Sequence, residues 1–117
     1  MKTIQVEELE QLSADEIQVI DLRPEEEYKR GSFPGAVNLP MEEFDSRYEE
    51  VLEKEKPIYF ICHTGERSKD YIETATKAGY NAFNVEGGYR AYLRLSFFKS
   101  FSGRRYKRKQ RRKDKRN

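Results

Sequence analysis

The sequence predicts an α/β domain built on a central, mainly parallel five-stranded sheet with helices on both faces. Three observations predict it. Short β-branched runs alternate with helix-forming stretches along residues 1–98, the order that gives parallel strands joined by helical crossovers. Glycine and proline mark the joins, at Pro24, Gly31, Pro34-Gly35, Pro57, Gly79 and Gly87-Gly88. The most apolar run, Ile58-Tyr59-Phe60-Ile61, is continuous rather than alternating, as expected of a central strand covered on both sides.

Each element follows in turn. Ile4 to Val6 reads as an edge strand, and residues 7–12 are helix formers with Leu9 and Leu12 three apart. Residues 17–22, with Ile17, Val19, Ile20 and Leu22, form a buried strand. Pro24 opens a helical turn whose acids, Glu25 to Glu27, face the positive end of the helix dipole. Residues 36–39 give a short strand, and Met41, Phe44, Tyr48, Val51 and Leu52 recur at the spacing of an amphipathic helix. After the strand at 58–61, residues 67–78 carry Ile72, Ala75 and Ala78 on one helical side, with Gly79 as the stop. Ala82 to Val85 is the next strand. A last helix runs from Gly87-Gly88 to about Leu95.

Charge divides the chain sharply. Residues 99–117 hold eleven basic residues and one acid, Asp114, for a net of +10; residues 1–98 hold twelve basic and twenty acidic residues, for −8. The apolar residues lie almost wholly in 1–98, which has the composition and length of one compact domain. One cysteine excludes an intrachain disulfide framework and a CxxC metal or redox pair. The longest apolar run, Ile58 to Cys62, is far short of a membrane span, and no apolar leader follows the start. A cytoplasmic domain with its thiol reduced is the expectation.

The chemistry concentrates at Cys62. It closes the central strand and is followed by His63, Thr64, Gly65, Glu66, Arg67 and Ser68 before a helix starts. Backbone N–H groups of a tight loop and of a helix's first turn converge at such a junction. They form a concave donor set that holds an anion and favours a thiolate. Gly65 can take a positive φ and let an anion approach, and Arg67 adds a charge that can fork onto an oxyanion. The alternative is a buried structural thiol at a strand end. His63 reads either as a base or substrate contact or as an exposed loop residue, and Glu66 reads as solvent-facing. Asp21 and Arg23, at the end of a neighbouring strand, read either as members of the site or, as the favoured reading, as structural support, an ion pair and helix cap.

These residues resemble the rhodanese-like domain family. The loop Cys62 to Arg67 is similar to its six-residue active-site loop. Asp21-Leu22-Arg23-Pro24 and Gly31-Ser32-Phe33-Pro34-Gly35-Ala36-Val37-Asn38-Leu39-Pro40 are similar to its D-x-R motif and its G-H-I-P-G-A-x-N-x-P signature. The stretch Gly79-Tyr80 through Gly87-Gly88 and Tyr92 is similar to its closing segment. Ser32 stands in place of the usual histidine and Tyr92 in place of the usual tryptophan. The resemblance spans roughly residues 3–95 and implies a rhodanese-like fold and a sulfurtransferase. In that reading Cys62 takes sulfur from thiosulfate or a persulfide and passes it to cyanide, a thiol or a protein. The loop from His63 to Ser68 cradles the persulfide, and no metal or organic cofactor is needed. Phosphatases and arsenate reductases of similar architecture have a loop one residue longer, which makes that chemistry the lesser enzymatic alternative. A catalytically silent binding or regulatory module is the other.

The basic segment 99–117 lacks periodic apolar positions, so disorder is expected there. Three uses compete: RNA contact with Tyr106 available to stack, an anionic membrane surface engaged beside Phe97, Phe98 and Phe101, or a silent solubilising extension or self-association with the −8 body.

Overall fold

The computed structural model describes residues 1–101. Five strands, β1 (Thr3–Ile4), β2 (Gln18–Asp21), β3 (Val37–Asn38), β4 (Ile58–Ile61) and β5 (Ala82–Val85), form one sheet of order β1-β5-β4-β2-β3. Every neighbouring pair is parallel. Between them lie α1 (Val6–Glu10), α2 (Glu25–Arg30), a tight helical turn at Met41–Glu43, α3 (Phe44–Val51) and α4 (Lys69–Lys77). A final helix, α5, covers 88–101.

Strand alternation sends side chains to two separate cores. One holds Ile20, Leu22, Ile58, Phe60 and Ala82 against Phe44 of α3, Leu52 just after it, and Ile72 and Ala75 of α4. The other holds Val19, Tyr59, Ile61 and Val85 against Val6 and Leu9 of α1, with Tyr28, Tyr89, Tyr92 and Leu95 packed on it from α2 and α5. Each fully buried large apolar side chain contributes about 2 kcal/mol by leaving water. Aromatic pairs add geometry: Tyr59 stacks on Phe83 with centroids 4.8 Å apart, and Phe44 meets Tyr71 edge-on at 5.0 Å.

Several boundaries differ from the sequence expectation. The edge strands β1 and β3 are two residues each, because each pairs on one side only and Val6 turns instead into α1 to bury its side chain. The 41–52 helix begins as a separate tight turn before α3. Pro24 sits one place outside α2, at its N-cap. Most consequential, the last helix does not stop near Leu95 but continues through 101. The expected domain boundary at residue 98 therefore falls inside a helix. The disorder expected for the remainder of 99–117 lies outside the described residues.

From β2 the chain moves outward to β3, whereas from β4 it moves the other way to β5. The carboxyl ends of β2 and β4 thus flank a topological switch point, where loops diverge and leave a crevice. Cys62 follows β4 directly at that point.

Candidate active site

Cys62 is 1% exposed, at the floor of the loop between β4 and α4. The Gly65 N–H donates to its sulfur at 2.9 Å. Gly65 makes this possible by adopting φ +88, where an L side chain would be strained and its Cβ would lie 3.0 Å from the Val85 carbonyl. Ser68, also buried, places its hydroxyl oxygen 3.5 Å from the sulfur. That hydroxyl donates to Asn84 Oδ1 at 2.7 Å, and Asn84 Nδ2 donates to the Gly65 carbonyl at 3.1 Å. The loop is therefore braced from β5 by a closed polar set, and no buried side-chain polar atom among the described residues lacks a partner.

A second brace comes from the first turn of α5. The N–H of Tyr89 donates to the Cys62 carbonyl at 2.8 Å, and that of Arg90 to the His63 carbonyl at 3.2 Å. Gly88 lets the two backbones approach: a Cβ there would stand 2.3 Å from the Cys62 carbonyl oxygen. The sequence reads Gly87-Gly88 as a turn and assigns Asn84 and Tyr89 no role at the site. An asparagine inside an otherwise apolar strand, Ala82-Phe83-Asn84-Val85, was the available signal for the first. Nothing in the sequence marked Tyr89.

Asp21 and Arg23 are 0% and 5% exposed. Arg23 Nη2 pairs with Asp21 Oδ2 at 2.7 Å, its Nε reaches Oδ1 at 3.0 Å, and its backbone N–H donates to Oδ1 at 2.9 Å. The ion pair is present, but neither residue caps a helix. Pro24 is the N-cap of α2 and no side chain caps it, because the Asp21 carboxylate is consumed by the guanidinium and the Arg23 amide. Arg23 also donates to the Gly31 carbonyl at 2.7 Å and lies 3.8 Å from the centroid of the Tyr89 ring. Asn38 completes the corner by donating to the carbonyls of Asp21 and Arg23, both at 2.9 Å. Through Tyr89, this buried pair reaches the backbone of Cys62.

The remaining loop residues face outward. His63, Thr64, Glu66 and Arg67 are exposed, and among the described residues no hydrogen bond joins the His63 imidazole to Cys62. Glu66 pairs with Lys69 at 3.0 Å, which holds the Lys69 ammonium above its ordinary pKa by a hydrogen bond and by charge. Arg67 has no ion-pair partner among the described residues and lines a cleft of about 640 Å³ beside the loop. The opposing walls of that cleft carry Glu25, Glu42 and Glu43, and Glu66 and Asp70 flank Arg67. Glu25, Glu43 and Glu66 are ion-paired with Lys29, Arg47 and Lys69. Among the described residues the cleft beside the loop therefore holds two carboxylates without an ion-pair partner, Glu42 and Asp70, near the Arg67 guanidinium.

Fold and site together define a class: a small parallel α/β domain that presents one buried, amide-bound sulfur at a strand-to-helix loop. Comparison with known proteins gives that class its family. The model of the rhodanese-like domain matches residues 5–95, and the chain belongs to that family. It is 37% identical over 84 residues to YtwF of Bacillus subtilis, covering 71% of this chain and 81% of that one. It is 31% identical over 106 residues to the human thiosulfate:glutathione sulfurtransferase, covering 78% and 92% of the two chains. Among solved structures, a rhodanese-like domain protein of Staphylococcus aureus superposes with a TM-score of 0.72 at 33% identity, covering 79% and 91%. The human single-domain sulfurtransferase TSTD1 gives 0.66 at 29%, covering 80% and 96%.

Proposed function

We propose that the protein is a cytoplasmic sulfurtransferase in which Cys62 is the nucleophile and carries the transferred sulfur as a persulfide. The observation that carries this reading is the Gly65 N–H at 2.9 Å from Sγ, a fixed dipole aimed where negative sulfur must be held. In the first half-reaction the Cys62 thiolate attacks the outer sulfur of the donor. A new S–S bond forms as the donor's own bond to that sulfur breaks, and the departing group keeps the electron pair: sulfite from thiosulfate, a thiolate from a persulfide. In the second, an acceptor nucleophile (a thiolate, cyanide or a protein cysteine) attacks the outer sulfur, and Cys62 leaves as thiolate. No cofactor takes part, because the enzyme's own sulfur is the carrier.

The loop from His63 to Ser68 binds the persulfide in this reading, with Gly65 and Ser68 nearest the sulfur. Arg67 steers the donor's charged end. His63 and Thr64, both exposed, are contacts for the partner that comes to the mouth. Of the five carboxylates lining the cleft, Glu25, Glu43 and Glu66 are ion-paired, which leaves Glu42 and Asp70 against the Arg67 guanidinium. This slight acidic excess disfavours a dianion such as thiosulfate modestly relative to a persulfide of lower charge. A persulfide, small or protein-borne, is the preferred donor.

Intact mass after incubation with donor tests this. A gain of one sulfur, about 32 Da on a single nucleophile, is expected, removed by cyanide and missing in Cys62→Ser. A larger adduct yield from an organic persulfide than from equimolar thiosulfate is expected as well. An unmodified Cys62 with both donors would leave the protein a binding module and end the enzymatic reading.

A further inference from the structure

The outward side of α5 is unlike the rest of the surface. Among the described residues, four of the seven large apolar side chains that are exposed lie on it: Leu93 at 50%, Phe97 at 73%, Phe98 at 66% and Phe101 at 50%. Arg90 and Arg94 are exposed beside them. At 3.6 residues per turn these six fall within an arc of about 140°. The opposite side of the helix, with Tyr89, Tyr92 and Leu95, is half-buried on the α1/α2 core. The helix thus has an inner apolar side packed on the fold and an outer side on which Leu93, Phe97 and Phe98 stand exposed. Directly after it in sequence, residues 102–117 contain ten basic residues and one acid.

We propose that the outward side of α5, carrying Leu93, Phe97 and Phe98 beside Arg90 and Arg94, docks on the surface of an anionic lipid bilayer. Phenylalanine and leucine interleaved with arginine suit the headgroup boundary. The rings enter the acyl edge while the guanidinium groups stay at the phosphates on their aliphatic stems. A lysine- and arginine-rich run next to such a helix adds attraction to acidic headgroups. No helix among the described residues is long and apolar enough to span a membrane, so the mode is peripheral. RNA fits less well, because a convex helix offers no groove to track a phosphate backbone and Leu93 has no π-face to stack a base. A second copy fits less well too, since it would set Arg90, Arg94 and two strongly basic segments against their like.

Vesicle flotation with the full chain tests the proposal. The chain is expected to float with phosphatidylcholine vesicles containing about one-third phosphatidylglycerol, not with phosphatidylcholine alone, and to release as salt rises. Leu93→Ser/Phe97→Ser/Phe98→Ser should bind the anionic vesicles about tenfold more weakly or worse, with an unchanged unfolding midpoint and unchanged sulfur loading of Cys62. A separate variant with Arg104, Arg105, Lys107 and Arg108 all changed to Gln should also weaken flotation. Failure of the wild-type chain to float, or equal flotation of the serine variant, overturns the proposal. So does tight RNA binding, or a dimer abolished by the serine changes, in a chain that does not float. Flotation does not depend on Cys62, so its outcome stands apart from that of the mass measurement.

Discussion

On the α3/α4 side of the sheet, Ile20, Leu22, Phe44, Ile58, Phe60 and Ile72 are all at 1% exposure or less. On the α2/α5 side the packing is looser. Both cores have fully buried centres, Leu9, Ile61 and Val85 here, but a larger share of the side chains on this side, among them Ile4, Ile17, Tyr28, Phe83, Tyr89 and Tyr92, is only partly buried. The buried charges Asp21 and Arg23 project there rather than into the tighter core. The difference separates two tasks. A dry apolar face supplies stability that does not depend on orientation. A face with a directional ion pair, an aromatic stack and backbone donors fixes where the Cys62 loop sits.

The sharpest way to break this contrast is at Arg23. Arg23→Met leaves the Asp21 carboxylate buried without its countercharge, which costs about 3–5 kcal/mol. It also removes the cation resting on Tyr89, whose N–H holds the Cys62 carbonyl. Chemical denaturation should show the loss of stability. The double variant Asp21→Asn/Arg23→Met should recover most of it, since no unpaired charge remains, yet sulfur loading should stay several-fold slow. Full activity in the double variant would mean that the polar corner stabilises without positioning.

The opposite face gives the complementary test. Ile58 is 0% exposed in the α3/α4 core and starts β4, four residues before Cys62. Ile58→Ala should lower the unfolding free energy by about 3 kcal/mol through lost burial and the cavity left behind. Sulfur loading, measured well below the unfolding transition, should stay within about twofold of the parent, because the change removes stability and no positioning contact. A large drop in loading would show that the two faces are not independent.

These contrasts also explain what was legible in the sequence. The strand 58–61 and the loop Cys62 to Ser68 could be read because local composition determines both: a continuous apolar run, then a glycine and small polar residues before helix formers. The α5 boundary could not. Phe97 and Phe98 break the apolar period of a helix packed on one side, so the pattern ends near Leu95 while the helix runs on with those rings in solvent. Tyr89 was silent for another reason. Its role is a backbone N–H and a ring face, and its partners lie 27 and 66 positions earlier in the chain, at Cys62 and Arg23. The cap expected from Asp21 failed similarly, since a carboxylate two residues from an arginine is taken by the stronger, charge-assisted partner.

Asn84 is where the smallest effect is expected and where the comparison becomes finest. By strand alternation its side chain shares the direction of Ala82, into the tighter core, yet it serves the loop by accepting from Ser68 and donating to the Gly65 carbonyl. Asn84→Ala should cost about 1–2 kcal/mol, the price of two buried groups left short of a partner. Ser68→Ala removes the hydroxyl that donates to Asn84 and leaves the Asn84 donor to the Gly65 carbonyl, so it separates the two bonds without burying a charge. If the Gly65 carbonyl bond is what aims the Gly65 amide at sulfur, loading should slow in Asn84→Ala and stay near parental in Ser68→Ala. If the Ser68 hydroxyl matters more, Ser68→Ala should load the more slowly of the two. Either ranking places the control of the sulfur in a polar contact that crosses from the dry face to the loop. Equal, parental loading in both variants would show that α5 alone holds the site.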